Sequence, residues 1–216
     1  MEFHGEGIVP CIERWQDGIR IFSRHPLTED WSIHTGLPMM MTKHLEKPSA
    51  DIELIPARAE QAPIMANLLE LYGHDFSEFR DLDLGSDGRF GYRDLPLYWQ
   101  EPNRHPFLVR VAGKWAGLVM VKRGSEISGD ATVWDMAEFF VVRRYRRRGI
   151  GTAIAHQVWK QFPGRWEVRV MQSNPAAYLF WERAITMFLG AAVPSVLSQT
   201  GGKSWRLFSF ESRRVA

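Results

Sequence analysis

The chain has 216 residues, 45% of them hydrophobic and 24% charged, which suits one globular domain with a sizeable core plus an appendage. Its formal charge is only +2, split as five Lys/Arg against seven Asp/Glu in residues 1–50 and 22 against 18 in the remainder; the mild excess collects in one arginine cluster and points to an anionic ligand rather than a nucleic-acid surface. With one cysteine (Cys11) the sequence excludes an internal disulfide framework and a cysteine-rich zinc site; with no run of about 18 apolar residues, no basic-then-apolar N-terminus and seven histidines without an HExxH, a cytoplasmic protein without metal or membrane partner is expected.

Residues 1–50 read differently from the rest. Ile12, Trp15, Ile19 and Phe22 at helical spacing predict a short amphipathic helix, followed by Pro26, Gly36, Pro38 and Pro48 with no clear period. The triplet Met39-Met40-Met41 stands just before the domain-like sequence, so two accounts are open: translation starts at one of these methionines, or the segment is an arm that packs on the domain or mediates a homodimer. The domain proper is expected over residues 51–216. Asp51 to Ala57 reads as a strand, and Ala59 to Tyr72 as a helix with Ile64, Leu68 and Leu71 on one face. His74 to His105 is irregular and rich in Gly, Asp and aromatics, and a long irregular stretch inside a compact domain is usually functional.

Phe107 to Val111 and Trp115 to Lys122, joined by Ala112-Gly113-Lys114, predict a hairpin. After a polar loop, the apolar run Val133 to Val142 predicts a strand that enters Arg143, Arg144, Arg146, Arg147 and Arg148, then Gly149 and Gly151, with Ile150, Ile154 and Val158 following at helical spacing. A glycine turn between a strand and a helix N-terminus exposes unpaired amides at the positive end of the helix dipole, which is where pyrophosphate binds readily. The Walker pattern fails, because Gly202-Lys203-Ser204 has Leu197 where a Gly is needed, and the dinucleotide pattern fails at Ile154.

What fits is Arg-x-x-Gly-x-Gly/Ala, written here as Arg146, Gly149 and Gly151 after a strand ending in Val141-Val142. This resembles motif A of the GNAT superfamily of N-acetyltransferases. Downstream, the strand WEVRVMQ leads to Asn174, Ala177, Phe180 and Trp181, which resembles the family's Asn-x-x-Ala helix. His156 falls on the polar side of the first of these helices and reads as a solvated residue; Pro163-Gly164 stops that helix. Trp166 to Met171 predicts a strand, Pro175 to Leu189 a helix with Pro at its first turn, and Ala191 to Ser198 with Ser204 to Phe210 a closing antiparallel pair. The resemblance implies an α/β (α+β) GNAT fold, a mixed central sheet of six to seven strands flanked by helices and splayed between the domain's fourth and fifth strands. It also implies that the irregular segment covers the acceptor site.

By the same resemblance, the amides of Arg147, Arg148, Gly149, Ile150, Gly151 and Thr152 hold the pyrophosphate of acetyl-CoA, and Arg146 or Arg148 meets further phosphate oxygens. The backbone at Phe140 and Val142 pairs with pantetheine beside Val141, and Asn174 and Trp181 lie along the pantetheine arm. Transfer to an amine needs the neutral nucleophile: an amine of pKa about 10.4 lies about 3.4 units above neutral pH, a cost of about 4.6 kcal/mol, so a base helps more than an acid. The carboxylates on the central strand are Asp135 and Glu138. Strict alternation puts Glu138 with Met136 and Phe140, and Asp135 with Val133, Ala137 and Phe139; Glu138, near the point where the family's strand bulges, is slightly preferred as base. Each is equally open to a structural pairing with a neighbouring arginine. The family often places a tyrosine acid seven residues after the Asn, a position held here by Trp181; Tyr178, three residues earlier, or a water is the candidate substitute.

The expectation is direct acetyl transfer from acetyl-CoA to an amine of a small molecule or protein, with Asp75, Glu78, Asp81, Asp83 and Asp87 suiting a cationic acceptor. A non-catalytic acyl-CoA-binding module is the alternative, motivated by Trp181. A nucleic-acid partner is not expected, because Tyr145 is the one aromatic interleaved in the arginine run and gives no stacking platform.

Overall fold

The computed structural model describes residues 15–16, 19–20 and 51–213. The chain divides into two units, Met1–His44 and Leu45–Ala216. In the first, strand β1 (Trp15–Gln16) pairs antiparallel with β2 (Ile19–Arg20), Trp15 opposite Arg20. This corrects the amphipathic helix expected through Trp15 and Ile19. The intervening dipeptide is Asp17-Gly18, a strong hairpin signal that outweighs the helical spacing. The methionine triplet lies outside the described residues.

The second unit starts with β3 (Ile52–Pro56), a 3-10 turn and α1 (Ala62–Phe76). Then come α2 (Leu97–Gln100), β4 (Arg104–Val111), β5 (Lys114–Arg123) and β6 (Trp134–Val141). The chain closes with α3 (Ile150–Gln161), β7 (Gly164–Met171), α4 (Pro175–Leu189), β8 (Val196–Thr200) and β9 (Lys203–Ser212). One seven-stranded sheet runs in the order β3-β4-β5-β6-β7-β9-β8, with β6 and β7 its parallel pair. The element order is the expected one except for α2, a single helical turn inside the stretch expected to be irregular, and α4 has the expected limits. Strand β8 starts at Val196 rather than Ala191, past Pro194, which has no N–H for a ladder. No described helix is long and apolar enough to cross a membrane.

Two cores flank the sheet. On one face Met65, Leu68 and Leu69 of α1 and Tyr98 of α2 pack on Leu108, Leu118, Met120 and Phe140. On the other, Ile150, Ile154 and Val158 of α3 and Trp181 and Ile185 of α4 pack on Val119, Val121, Met136 and Val168. Each fully buried large aliphatic contributes about 1.5–3 kcal/mol. His156 belongs to this second layer rather than to solvent: it is half-buried between α3 and α4 and donates from Nε2 to the Ala184 carbonyl at 2.8 Å.

Two irregularities shape the centre of the sheet. Strands β6 and β7 pair only at Trp134 with Trp166 and Asp135 with Glu167, then part although both continue. Between β5 and β6 the register slips, Val121 facing Met136 but Met120 facing Glu138, which leaves Ala137 as an extra residue in a β-bulge. Beyond the bulge the strands close up at Gly117, where an added Cβ would collide with the Phe140 carbonyl oxygen. Gly117→Ala is therefore expected to remove about 1–3 kcal/mol of stability, read as a lower midpoint in urea unfolding; an unchanged midpoint would contradict this close approach.

Candidate active site

The chain leaves β6 through a 3-10 turn at Arg143–Tyr145 and enters α3 at Gly149. Gly149 is the N-cap in the left-handed region (φ 74°), with nothing within 4 Å of where a Cβ would sit, and Arg147 also takes positive φ (59°). The first backbone bond of α3 runs from Ala153 N–H to the Gly149 carbonyl at 3.0 Å. The amides of Ile150, Gly151 and Thr152 therefore have no intrahelical acceptor, and no side chain caps them. Arg147, Arg148 and Gly149 are exposed. Open amides, a helix dipole, an absent Cβ and two exposed guanidinium groups together fit a diphosphate. Gly151 has a packing reason as well: a Cβ there would lie 3.1 Å from the Phe180 ring.

Arg146, the first residue of the motif, is exposed but folds back onto the end of β6. Its Nε donates to the Val141 carbonyl at 2.6 Å and its Nη2 to Asp75 of α1, which also accepts from Arg143 Nε at 2.9 Å. The two hydrogen-bonded guanidinium groups hold the Asp75 carboxyl below its ordinary value despite partial burial. In this arrangement Arg146 braces the turn and is not directed at phosphate.

The open edge of β6 is offset by one residue from expectation. Val142 N–H donates to the Ala116 carbonyl at 2.8 Å, and the Phe140 carbonyl points at Gly117. Backbone groups of Phe140 and Val142 therefore face β5 and cannot pair with a ligand in the gap, which corrects the expected assignment. The Val141 carbonyl points the other way, toward the gap, as its bond from Arg146 shows, and so by alternation does Phe139.

Across the gap, Asn174 caps α4, its Oδ1 accepting from Ala177 N–H at 2.9 Å, so its amide NH₂ is the group left to donate outward. Trp181 is buried edge-on to Phe139 (4.9 Å between ring centroids) and Phe180 (4.8 Å). Tyr178 donates to Glu182 Oε1 at 2.9 Å and stacks on Phe208 at 5.5 Å. It lines a hollow of about 320 Å³ with Met171, Gln172, Pro175 and Arg206. None of these contacts joins it to Asp135 or Glu138. A larger hollow of about 740 Å³, by His156, Lys160 and Met187, contains none of the expected site residues.

The bulge decides the carboxylates. Because Ala137 is inserted, Asp135 (opposite Lys122) and Glu138 (opposite Met120) lie on one face, the α1 side, rather than on opposite faces as strict alternation implies. Their surroundings differ. Asp135 is buried and accepts from Arg169 Nη1 of β7, with Lys122 Nζ 4.0 Å away. Burial pushes its carboxyl up while Arg169 and then Lys122 pull it back; because a guanidinium stays protonated, Asp135 is the anionic half of an ion pair. Glu138 is partly buried beside Phe140, and its Oε1 accepts from the Tyr92 hydroxyl at 3.0 Å, with Tyr72 also facing it. Burial raises its pKa above the ordinary value, against the opposing pull of Arg169 and the two tyrosines.

The acetyltransferase (GNAT) family model matches residues 65–185, more than half of the chain. The chain belongs to the GNAT acetyltransferase family. Its fold is similar to an acetyltransferase from Thermus thermophilus (20% identity, TM-score 0.52, 74% of this chain and 96% of that one). It is likewise similar to a GNAT-family acetyltransferase from Streptococcus pneumoniae (16%, 0.52, 74% and 99%). A third similar structure is RimL, a ribosomal L7/L12 alpha-N-protein acetyltransferase in complex with coenzyme A (10%, 0.51, 76% and 96%). No curated protein sequence matches.

In this GNAT domain Asp135 and Glu138 lie on β6, the strand that leads into the 147–152 turn, and Asn174 caps the helix that follows β7, while the contacts of Tyr178 are to Glu182 and Phe208. Sequence reasoning missed Arg169 and the tyrosines on the α1 side. Arg169 had a signal, since it alternates with Trp166, Val168 and Val170 in β7 and so faces away from their core. Asp75 also gained a role that the sequence did not show. Its lowered pKa means that its stabilisation is fully present above 3.8 and is lost as pH falls through the folded value. Asp75→Asn should therefore lower stability at neutral pH and flatten the acid limb of a stability–pH curve; an acid limb identical to wild type would contradict the brace.

Proposed function

We propose that this enzyme passes the acetyl group of acetyl-CoA directly to an amine in a ternary complex, with Glu138 as general base. The observation that carries this reading is the placement of Glu138. It sits on the strand that leads into the diphosphate-type turn, at the bulge beside the gap, with burial lifting its pKa toward a base's working range. The amides of residues 147–152 would receive the diphosphate, Val141 and Phe139 would offer the backbone edge to pantetheine, and the Asn174 amide would meet the same arm. Asp135 is read as structural, since Arg169 and Lys122 already engage it.

The acceptor, of small-molecule or protein origin, is read as cationic. Of the acidic residues in its region, Asp75 is engaged by Arg143 and Arg146, while Glu78, Asp81 and Asp83 are exposed.

Calorimetric titration with acetyl-CoA should give clear binding to wild type and none to Gly149→Asp, which puts a side chain and a negative charge into the cradle. With an amine from a polyamine and aminoglycoside panel, initial-rate lines should intersect rather than run parallel, and Glu138→Gln should lower kcat/KM by about 10²–10⁴. Binding of acetyl-CoA without turnover of any amine would favour the binding-module reading, for which Trp181 at the usual acid position is the motivating feature.

A further inference from the structure

The irregular segment between α1 and α2 is clamped at several points. Glu70 of α1 accepts from two successive amides, Phe90 N–H at 2.8 Å and Gly91 N–H at 3.1 Å. One turn along α1, Gly73 leaves room for the Phe90 ring, which would stand 2.9 Å from a Cβ at that position. Farther back, the Phe79 carbonyl accepts from Ser173 Oγ at 3.2 Å, tying the segment to the approach to α4 across the gap. The residue that follows the Glu70 clamp is Tyr92, whose hydroxyl donates to Glu138 at 3.0 Å.

We propose that Tyr92 is the positioning residue of the base, holding the Glu138 carboxylate in one orientation, and that Glu70 acts through it by fixing the Phe90-Gly91 backbone. This rests on Glu138 being the base. The chain spends a carboxylate with two acceptor oxygens on two adjacent amides, in a segment otherwise without helix or strand, and the hydroxyl so delivered lands on the preferred catalytic group. A carboxylate can rotate freely about its last bond unless a donor pins one oxygen. With Oε1 pinned by Tyr92, the remaining lone pairs of Glu138 keep a defined direction for the proton of an incoming ammonium. Tyr92 itself remains a phenol, because burial and the Glu138 charge push its pKa upward, so toward the carboxylate it is the donor.

The groups facing Glu138 are Tyr72 from α1, Tyr92 from the segment, Tyr98 from α2, Asp135 from its own strand and Arg169 from β7. Lys122 and Glu126 bear on it through Asp135 and Arg169. Removing the Tyr92 donor destabilises the ionised carboxylate and moves its midpoint upward. Tyr72 and Arg169 remain in place and keep it titratable.

The test is a carbon-13 NMR pH titration of the glutamate carboxyls in the full chain, with the Glu138 resonance assigned by its loss in Glu138→Gln. This readout needs no acceptor. Tyr92→Phe should raise the Glu138 midpoint by about one pH unit, the size expected of one hydrogen bond to an ionised carboxylate. Glu70→Gln, which keeps the shape but offers one acceptor to two amides, should move it in the same direction by less. A Glu138 midpoint unchanged in Tyr92→Phe would overturn the proposal, and one that moves in Tyr92→Phe but not in Glu70→Gln would remove Glu70 from it. Turnover separates the two readings: undiminished turnover by Glu138→Gln would remove the base, whereas its loss together with an unmoved midpoint in Tyr92→Phe would remove only the positioning role.

Discussion

Two residues of parallel pairing hold β6 to β7, and the site exists because the pairing stops there. Past Asp135 and Glu167 the two strands diverge, so the β6 edge at Phe139 and Val141 has no ladder partner in the sheet. Buried backbone groups need partners, and an edge left open inside a sheet is costly unless something fills it. Here Arg146 reaches back to the Val141 carbonyl, and a ligand strand would complete the rest. The helices that follow the two diverging strands are α3, which starts at the bare amides after Gly149, and α4, which starts at the Asn174 cap.

A sheet that opens at its centre needs a tie elsewhere, and Arg169 provides one. From β7 it crosses to Asp135 on β6, at the last paired position of that strand. Burying such a pair brings little net stability, but losing one partner leaves an uncompensated charge and typically costs about 3–5 kcal/mol. Without Arg169, Asp135 and Glu138 would be two carboxylates on one face with only Lys122 nearby, and both would resist ionisation. The tie therefore does two things: it anchors the strands and it leaves Glu138, three residues on, as the carboxylate without a direct cationic partner among the described residues. The proposed division of roles between two similar residues rests on which of them the arginine reaches.

Much of this was legible in the sequence, and the failures have physical causes. The turn Arg146-x-x-Gly149-x-Gly151 and the helix Pro175–Leu189 were readable because local chemistry dictates them: glycine for a left-handed N-cap, proline at a first turn. The faces of Asp135 and Glu138 were not, because one inserted residue at Ala137 reverses every side chain beyond it and alternation alone has no record of the slip. The pantetheine edge was misplaced by one residue for a related reason: which backbone groups face β5 depends on the register that Gly117 and Ala116 impose. The Glu70 clamp joins residues 20 and 21 apart through main-chain donors, and amides carry no sequence signature.

The distribution of tyrosines bears on the chemistry. Tyr72, Tyr92 and Tyr98 gather on the α1 side around Glu138, whereas Tyr178 bonds to Glu182 on the other layer and Trp181 is packed against Phe139 and Phe180. The free energies of the two proton transfers differ in the same sense. An alkylammonium of pKa about 10.4 must lose its proton at a cost of about 4.6 kcal/mol at neutral pH, while a departing thiolate, with a thiol pKa of about 8.5, gains only about 2 kcal/mol from being protonated there. A fold with limited polar groups to bury does better to orient the base than to supply an acid. A tryptophan at the acid position is then compatible with transfer, since its indole completes the core beneath Gly151 and Phe180 and the thiolate can leave without help.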